Sequence, residues 1–229
     1  MSTRLRFPAA LEAALRKVNP ATSRRSFLAS SGALVVSLGT ATPSGKLLAQ
    51  VAAAGPYPDP DFRQLDTWIV IHPDNTATFF VGKTDGGQGT GTAFRQMMSD
   101  ELDIAYESTS LLMGSTDVTP DQGGSGGSDA VERDGWPMRR VAAEARRVLL
   151  ELASAHLDVP VADLGVSDAT VSAMTDPARQ VTYAELVGGR RFDVPLTGNN
   201  INATQGLASI KSVNDLRVVG QSIERYDIP

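Results

Sequence analysis

The chain has 229 residues, 41% hydrophobic and 21% charged, which suits one ordinary globular domain with a real core. Its net charge is −5 and no basic stripe is present, which argues against nucleic acid as a partner. It has no cysteine, so it carries no disulfide, iron–sulfur cluster or thiolate-held metal, and its two histidines, His72 and His156, make a poor metal site.

Residues 1–54 read as a targeting segment. Ser23-Arg24-Arg25-Ser26-Phe27-Leu28 is a twin-arginine pattern, although Ala29 stands where the motif usually ends in lysine. The apolar run over 27–38 is too short, and too broken by Ser and Gly, for an ordinary membrane span. Ala52-Ala53-Ala54 offers a cleavage site. This segment predicts export of the folded protein to the periplasm or the outer face of the cytoplasmic membrane. Residues 55–64, which open with Gly55-Pro56-Tyr57-Pro58-Asp59-Pro60, read as a stiff linker, and 65–229 as the domain.

Within the domain, 67–72 and 76–81 are β-branched and aromatic runs joined by Pro73-Asp74-Asn75, the pattern of a hairpin. A helix is predicted from a cap at Thr92 to about Asp103, with Phe94, Met97, Met98 and Leu102 on its core face. Ser110-Leu111-Leu112-Met113 reads as a further strand. No regular element survives the composition of 114–129, which predicts a long loop. A long helix follows over 131–157. Ala142, Ala145, Val148, Leu149 and Leu152 point inward, while Arg139, Arg140, Arg146 and Arg147 form a solvated face. Val159-Pro160 ends it. Two short strands flank Asp168, and 182–187 is a short helix stopped by Gly188-Gly189. The stretch 199–229 is weakly patterned. The whole predicts an α+β fold of small mixed β-sheets packed by helices.

Two glycine-rich loops carry the chemistry. The first, 81–92, lies between a strand and a helix, where main-chain N–H groups can approach an anion closely. The second is Gly123-Gly124-Ser125-Gly126-Gly127, a formal match to the nucleophile elbow of serine hydrolases. That motif needs a strand directly before the serine, and Thr119-Pro120-Asp121-Gln122 is not one. His156 is the only histidine downstream. The phosphate-loop signature is absent, and a dinucleotide signature starting at Gly87 would need glycine where Thr92 stands. Asp85, Asp100 and Glu101 straddle a turn and a helix surface, and read as surface charges rather than an acid–base pair.

Several ordered motifs together resemble a known family. Gly82-Lys83 followed by Gly87-Gln88-Gly89-Thr90, then Asp100-Glu101-Leu102-Asp103, Met113-Gly114-Ser115-Thr116 and 119–128 are similar to the molybdopterin-binding subunit of the xanthine dehydrogenase and aldehyde oxidase family. The branch is the exported one of isoquinoline 1-oxidoreductase beta subunits and membrane-bound aldehyde dehydrogenases. The stretches 139–147 and 219–229 look like that branch too, so the resemblance covers roughly 65–229.

The resemblance implies a molybdenum–molybdopterin cofactor, extended in part of the family to cytosine dinucleotide, whose metal needs no protein ligand. Gly87, Gln88 and Gly89 match the family's first cofactor loop, and Gly126, Gly127 and Ser128 its second. Asp85 departs from the glutamate common there. The resemblance also implies oxidation of an aldehyde or N-heterocycle with oxygen from water. Electrons would leave through an iron–sulfur subunit or a haem-bearing cytochrome c subunit. The family's general-base glutamate lies in a downstream motif that has no counterpart here, and the sequence ends where the next domain would begin. The expectation is therefore an N-terminal portion with no catalytic residue of its own, inactive without the remaining domains on another chain. Two rivals stand beside it: a non-catalytic exported scaffold left over from such an enzyme, and the serine hydrolase.

Overall fold

The computed structural model describes residues 60–197 and 206–226. The twin-arginine segment and residues 55–59 of the linker lie outside them.

The hairpin forms as its pattern predicts. Strand β1 (Ile69–Ile71) pairs antiparallel with β2 (Ala77–Val81), with Ile69 opposite Phe79 and Ile71 opposite Ala77. Period-two alternation sends Ile69, Ile71, Ala77, Phe79 and Val81 into the core. Asn75 closes the turn in the left-handed region, and its side-chain oxygen accepts the N–H of Ala184 at 2.9 Å.

Helix α1 (Thr90–Leu102) carries the chain from β2 to β3 (Thr109–Met113), which lies parallel to β2 with Ala77 opposite Thr109 and Val81 opposite Met113. A parallel neighbour requires such a crossover. Arg95 ties helix to strand: its guanidinium donates to Thr109 Oγ1 at 2.8 Å and lies 3.9 Å above the Tyr106 ring. Beyond β3 the chain runs without regular structure through 114–129, as expected, then enters a π-helical turn (Ala130–Asp134) and α2 (Gly135–Leu157). Phe94, Met98 and Leu102 of α1 and Met138, Val141, Ala142, Ala145 and Leu149 of α2 are fully buried in the common core.

A second sheet follows. Strands β4 (Leu164–Ser167), β5 (Thr170–Ala173) and β6 (Asp176–Thr182) form an antiparallel meander. Asp168 and Ala169 both have positive φ at the β4–β5 turn, as a primed hairpin turn requires. The sheet is sewn to the end of α1 by Ala169 N–H to Asp103 O at 2.8 Å and Tyr183 OH to Leu102 O at 2.8 Å. Burial pushes the Tyr183 phenol well above its ordinary pKa, so it stays a donor. Helix α3 (Tyr183–Val187) starts at a capping box formed by Thr182 and Glu185.

The architecture is the expected α+β arrangement, with corrections in detail. The α1 cap is Gly89 rather than Thr92, whose hydroxyl instead accepts the Tyr226 N–H. Leu152 is 40% exposed. The arginine face of α2 is not simply solvated: Arg139 is buried on Glu101 at 2.6 Å, Arg146 pairs with Asp103, and Arg147 bridges Glu144 and Glu151. Asp100 and Glu101 are 4% and 0% exposed, so they are not surface charges. Strand β6 is an addition to the expected set; its residues 176–180 are all exposed and carry no apolar alternation, which hides the pattern. Residues 61–64, at the end of the expected linker, are tied in by Leu196 N–H to Arg63 O at 2.7 Å and Trp68 Nε1 to Phe62 O at 2.8 Å.

Candidate cofactor cleft

The first glycine loop leaves β2 at Val81 and is stitched at once to the second. Gly82 donates its N–H to Gln122 Oε1 at 2.8 Å. A side chain there is forbidden, because a Cβ would sit 1.6 Å from Pro120 O. Lys83 is buried, donating to Gly124 O at 3.1 Å and pairing with Asp134 at 3.3 Å. Thr84 N–H reaches Ser125 Oγ at 2.9 Å.

Asp85 then organises the rest of the loop. One carboxylate oxygen accepts N–H groups from Gly87 at 2.9 Å and Gly89 at 3.1 Å; the other accepts Gly91 N–H at 3.0 Å. Gly87 and Gly89 have φ of 101° and 83°, which glycine reaches without strain. Burial pushes the Asp85 carboxyl up, but the three N–H donors and the nearby Arg225 charge outweigh it and hold the pKa below the ordinary range. The anion at the start of α1 is thus the chain's own carboxylate. The expectation that these amides await an external anion is corrected for Gly87, Gly89 and Gly91. Gly86 N–H is likewise taken by Gln88 Oε1 at 2.7 Å.

The second loop is the opposite. Gly127 and Ser128 have φ of 69° and 59°, and among the described residues none of Gly126, Gly127 and Ser128 donates its main-chain N–H to a partner. A Cβ built at Gly126 meets nothing within 4 Å.

Both loops face one cleft of about 890 Å³. Thr84, Gly86, Gln88 and Thr90 line it from the first loop and the start of α1; 125–128 line it from the second, and 130–132 from the π-helical turn. Of the residues singled out in sequence, Gln88, Gly126, Gly127 and Ser128 are brought together here. Gly87 and Gly89 are not among the lining residues; Gly87 turns its carbonyl to Arg225 Nη1 at 2.8 Å.

Two buried polar atoms at the loops have no partner among the described residues: Thr90 Oγ1, on the cleft, and Gln122 Nε2, on a second cleft of about 470 Å³ that shares residues 125–127. Each such atom costs about 1–3 kcal/mol unless something satisfies it. An unpartnered hydroxyl, open main-chain donors and a glycine floor fit a flat polar group carrying an anionic tail. Asp85, Thr90, Gln122 and Arg225 were not picked out as site residues from sequence. Thr90 and Gln122 do lie inside the stretches that carry the family resemblance, and that is the signal that could have found them.

The hydrolase elbow is not built. No strand precedes Ser125, its hydroxyl braces Thr84, and His156 is exposed late in α2. Among the described residues no cluster of three or more His, Asp or Glu side chains could hold a metal ion, and none of the helices is long and apolar enough to cross a membrane.

An α+β fold with a polar, glycine-lined cleft suits a cofactor-binding domain, and similarity to known proteins gives its kind. Residues 45–212 match the molybdopterin cofactor-binding domain family, and the chain belongs to it. The chain is 31% identical over 207 residues to a nicotinate dehydrogenase subunit from Pseudomonas putida, an alignment that takes in 90% of this chain and 16% of that one. The chain therefore spans about one-sixth of that relative's length. Among solved structures it is similar to quinoline 2-oxidoreductase from Pseudomonas putida 86, at 24% identity with a TM-score of 0.44, over 52% of this chain and 15% of that one. CO dehydrogenase from Oligotropha carboxidovorans is similar at 27% identity with a TM-score of 0.43, over the same shares.

Proposed function

We propose that this chain supplies one wall of the molybdenum-cofactor site of an exported hydroxylase acting on an N-heterocycle or an aldehyde. The observation that carries this reading is the cleft in which Gln88, the unpartnered Thr90 hydroxyl and the undonated amides of 126–128 converge. When bound, molybdenum–molybdopterin supplies two-electron oxidation of a carbon centre with oxygen from water. The chain's own residues bind and orient. The Gln88 amide and the Thr90 hydroxyl hydrogen-bond a polar ring, and the amides of Gly126, Gly127 and Ser128 take an anionic phosphate, with small residues letting the backbone come close.

The substrate class leans to N-heterocycles because the curated relative is named for nicotinate. The chain covers 16% of that relative, which supports a site completed by further domains, on this polypeptide or another. With no cysteine, this sequence holds no iron–sulfur centre, so electrons leave through an iron–sulfur subunit or a cytochrome c subunit. The described chain on its own is expected to hold little molybdenum and to show no turnover.

Thr90→Val tests the reading directly. It removes the unpartnered hydroxyl while keeping the side chain's shape. In the complete complex it should leave the melting temperature unchanged or higher and lower the bound molybdenum. Full molybdenum content with full turnover would remove the cleft from the cofactor site. The export half rests on Arg24 and Arg25, which lie outside the described residues. Replacing both by lysine should hold the protein in the cytoplasm, and unchanged periplasmic delivery would overturn it.

A further inference from the structure

The segment 206–226 lies along one face of α1 as a strap. Near its start Glu101 accepts Lys211 N–H at 2.9 Å. Next, the two oxygens of Asp100 take the N–H groups of Arg217, Val218 and Val219 at 2.7–3.0 Å. One turn nearer the start of α1, Gln96 Nε2 donates to Val218 O at 2.9 Å and Gln221 O at 3.2 Å. One turn further, Thr92 Oγ1 accepts Tyr226 N–H at 3.4 Å. Residues 92, 96 and 100 are spaced by four and share one face of the helix, so the strap runs from the end of α1 back to its beginning.

We propose that Arg225 is a positioning residue for the first cofactor loop, delivered there by this strap. The inference rests on the reading of that loop given under the proposed function. Arg225 donates from Nη1 to Gly87 O at 2.8 Å. Its side chain also covers Gly89: a Cβ at that position would lie 3.5 Å from Arg225 Nε and 3.6 Å from its Cζ. The next glycine, Gly91, has no unusual dihedral. It is glycine because Tyr226 lies on it, where a Cβ would meet the ring at 2.5 Å. Asp85 therefore grips the loop through the N–H groups of Gly87 and Gly89, and Arg225 grips it through the carbonyl of Gly87. Gln88 sits between the two grips with its side chain on the cleft. Without Arg225 the Gly87 carbonyl loses this donor, and the peptide that aims Gln88 is free to rotate.

The test uses the full chain in its complete complex, with Arg225→Ala and Arg225→Lys. The measurements are amide hydrogen exchange over 86–91 and bound molybdenum. Arg225→Ala should speed exchange over 86–91 by about tenfold while α2 is unchanged, because the opening is local. It should also lower molybdenum content. Arg225→Lys should recover part of both, since lysine keeps the charge but lacks the planar fork that covers Gly89. Unchanged exchange over 86–91 in Arg225→Ala overturns the positioning role. Faster exchange with full molybdenum overturns its link to the cofactor. A wild-type complex free of molybdenum would sink the functional reading alone, and the exchange measurement would still decide whether Arg225 holds the loop.

Discussion

In the first glycine loop the N–H groups of Gly87, Gly89 and Gly91 converge on Asp85, and Arg225 holds the carbonyl of Gly87. In the second, Gly126, Gly127 and Ser128 donate no main-chain N–H to any described residue. The two stretches look alike in composition. One is a closed structure that presents side chains, Gln88 and Thr90, to the cleft. The other is open and presents its backbone. Glycine makes left-handed turns in both, but in the first it also packs under the strap, and in the second it leaves bare donors facing space.

The largest effect should come from breaking the joint between the loops. Gly82→Ala places a methyl group 1.6 Å from Pro120 O, with backbone rather than a flexible side chain in the way. A loss of about 3 kcal/mol or more is expected in denaturant unfolding. A variant as stable as wild type would show that the loops part without cost.

Next, Asp85→Ala opens the closed loop by removing the acceptor of three N–H groups. The expected cost is about 1–3 kcal/mol, measured by denaturation near neutral pH. Because the folded pKa of Asp85 lies below its unfolded value, this stability is present in full above the ordinary aspartate pKa of about 3.9. It is lost as pH falls through the lower folded value. The gap between wild type and variant should therefore hold constant from neutral pH down to about 5 and close only in stronger acid. A gap that closes near neutrality would mean that the carboxylate is not what caps the loop.

Gln88→Ala separates presentation from support. In the complete complex it should weaken cofactor retention by about 1–3 kcal/mol, read as lost molybdenum, while stability shifts by roughly 0.5 kcal/mol or less. Normal molybdenum and turnover with an unchanged melt would make this loop only a connection. The smallest effect on the fold belongs to Gly126→Ala, whose methyl would meet nothing. Stability should stay within about 0.5 kcal/mol of wild type while molybdenum content falls. A destabilised variant with full molybdenum would place the second loop in the fold's support and not in the site.

These contrasts also mark what could be read from sequence. The hairpin, both long helices, the turn at Asp168 and the irregular stretch 114–129 announce themselves through periodicity and turn residues, because those signals are local. Strand β6 does not, since only Val181 of its residues is fully buried. Charged residues were the least legible. Arg139 and Glu101 look like helix-surface charges until tertiary packing makes them a buried pair, and nothing local distinguishes the two cases. The same holds at the site. Gln88, Gly126, Gly127 and Ser128 stand out by motif, but that Asp85 would close the first loop depends on a fold-back that spacing alone does not show. The contribution of Arg225 depends on a contact 138 residues away in sequence.

The strap has a consequence in time. Its anchors on α1 are made by residues 110 to 134 positions later in the chain, whereas β1, β2, β3, α1 and α2 involve nearer neighbours. At synthesis speeds of about 5–20 residues per second, the sheet and both long helices can emerge on the order of ten seconds before Arg225 does. During that interval Asp100 and Glu101 have only part of their final partners, and the first loop lacks its outer grip. A cofactor that needs the finished loop is therefore expected to load only after residue 226 has been made and the strap has docked on α1.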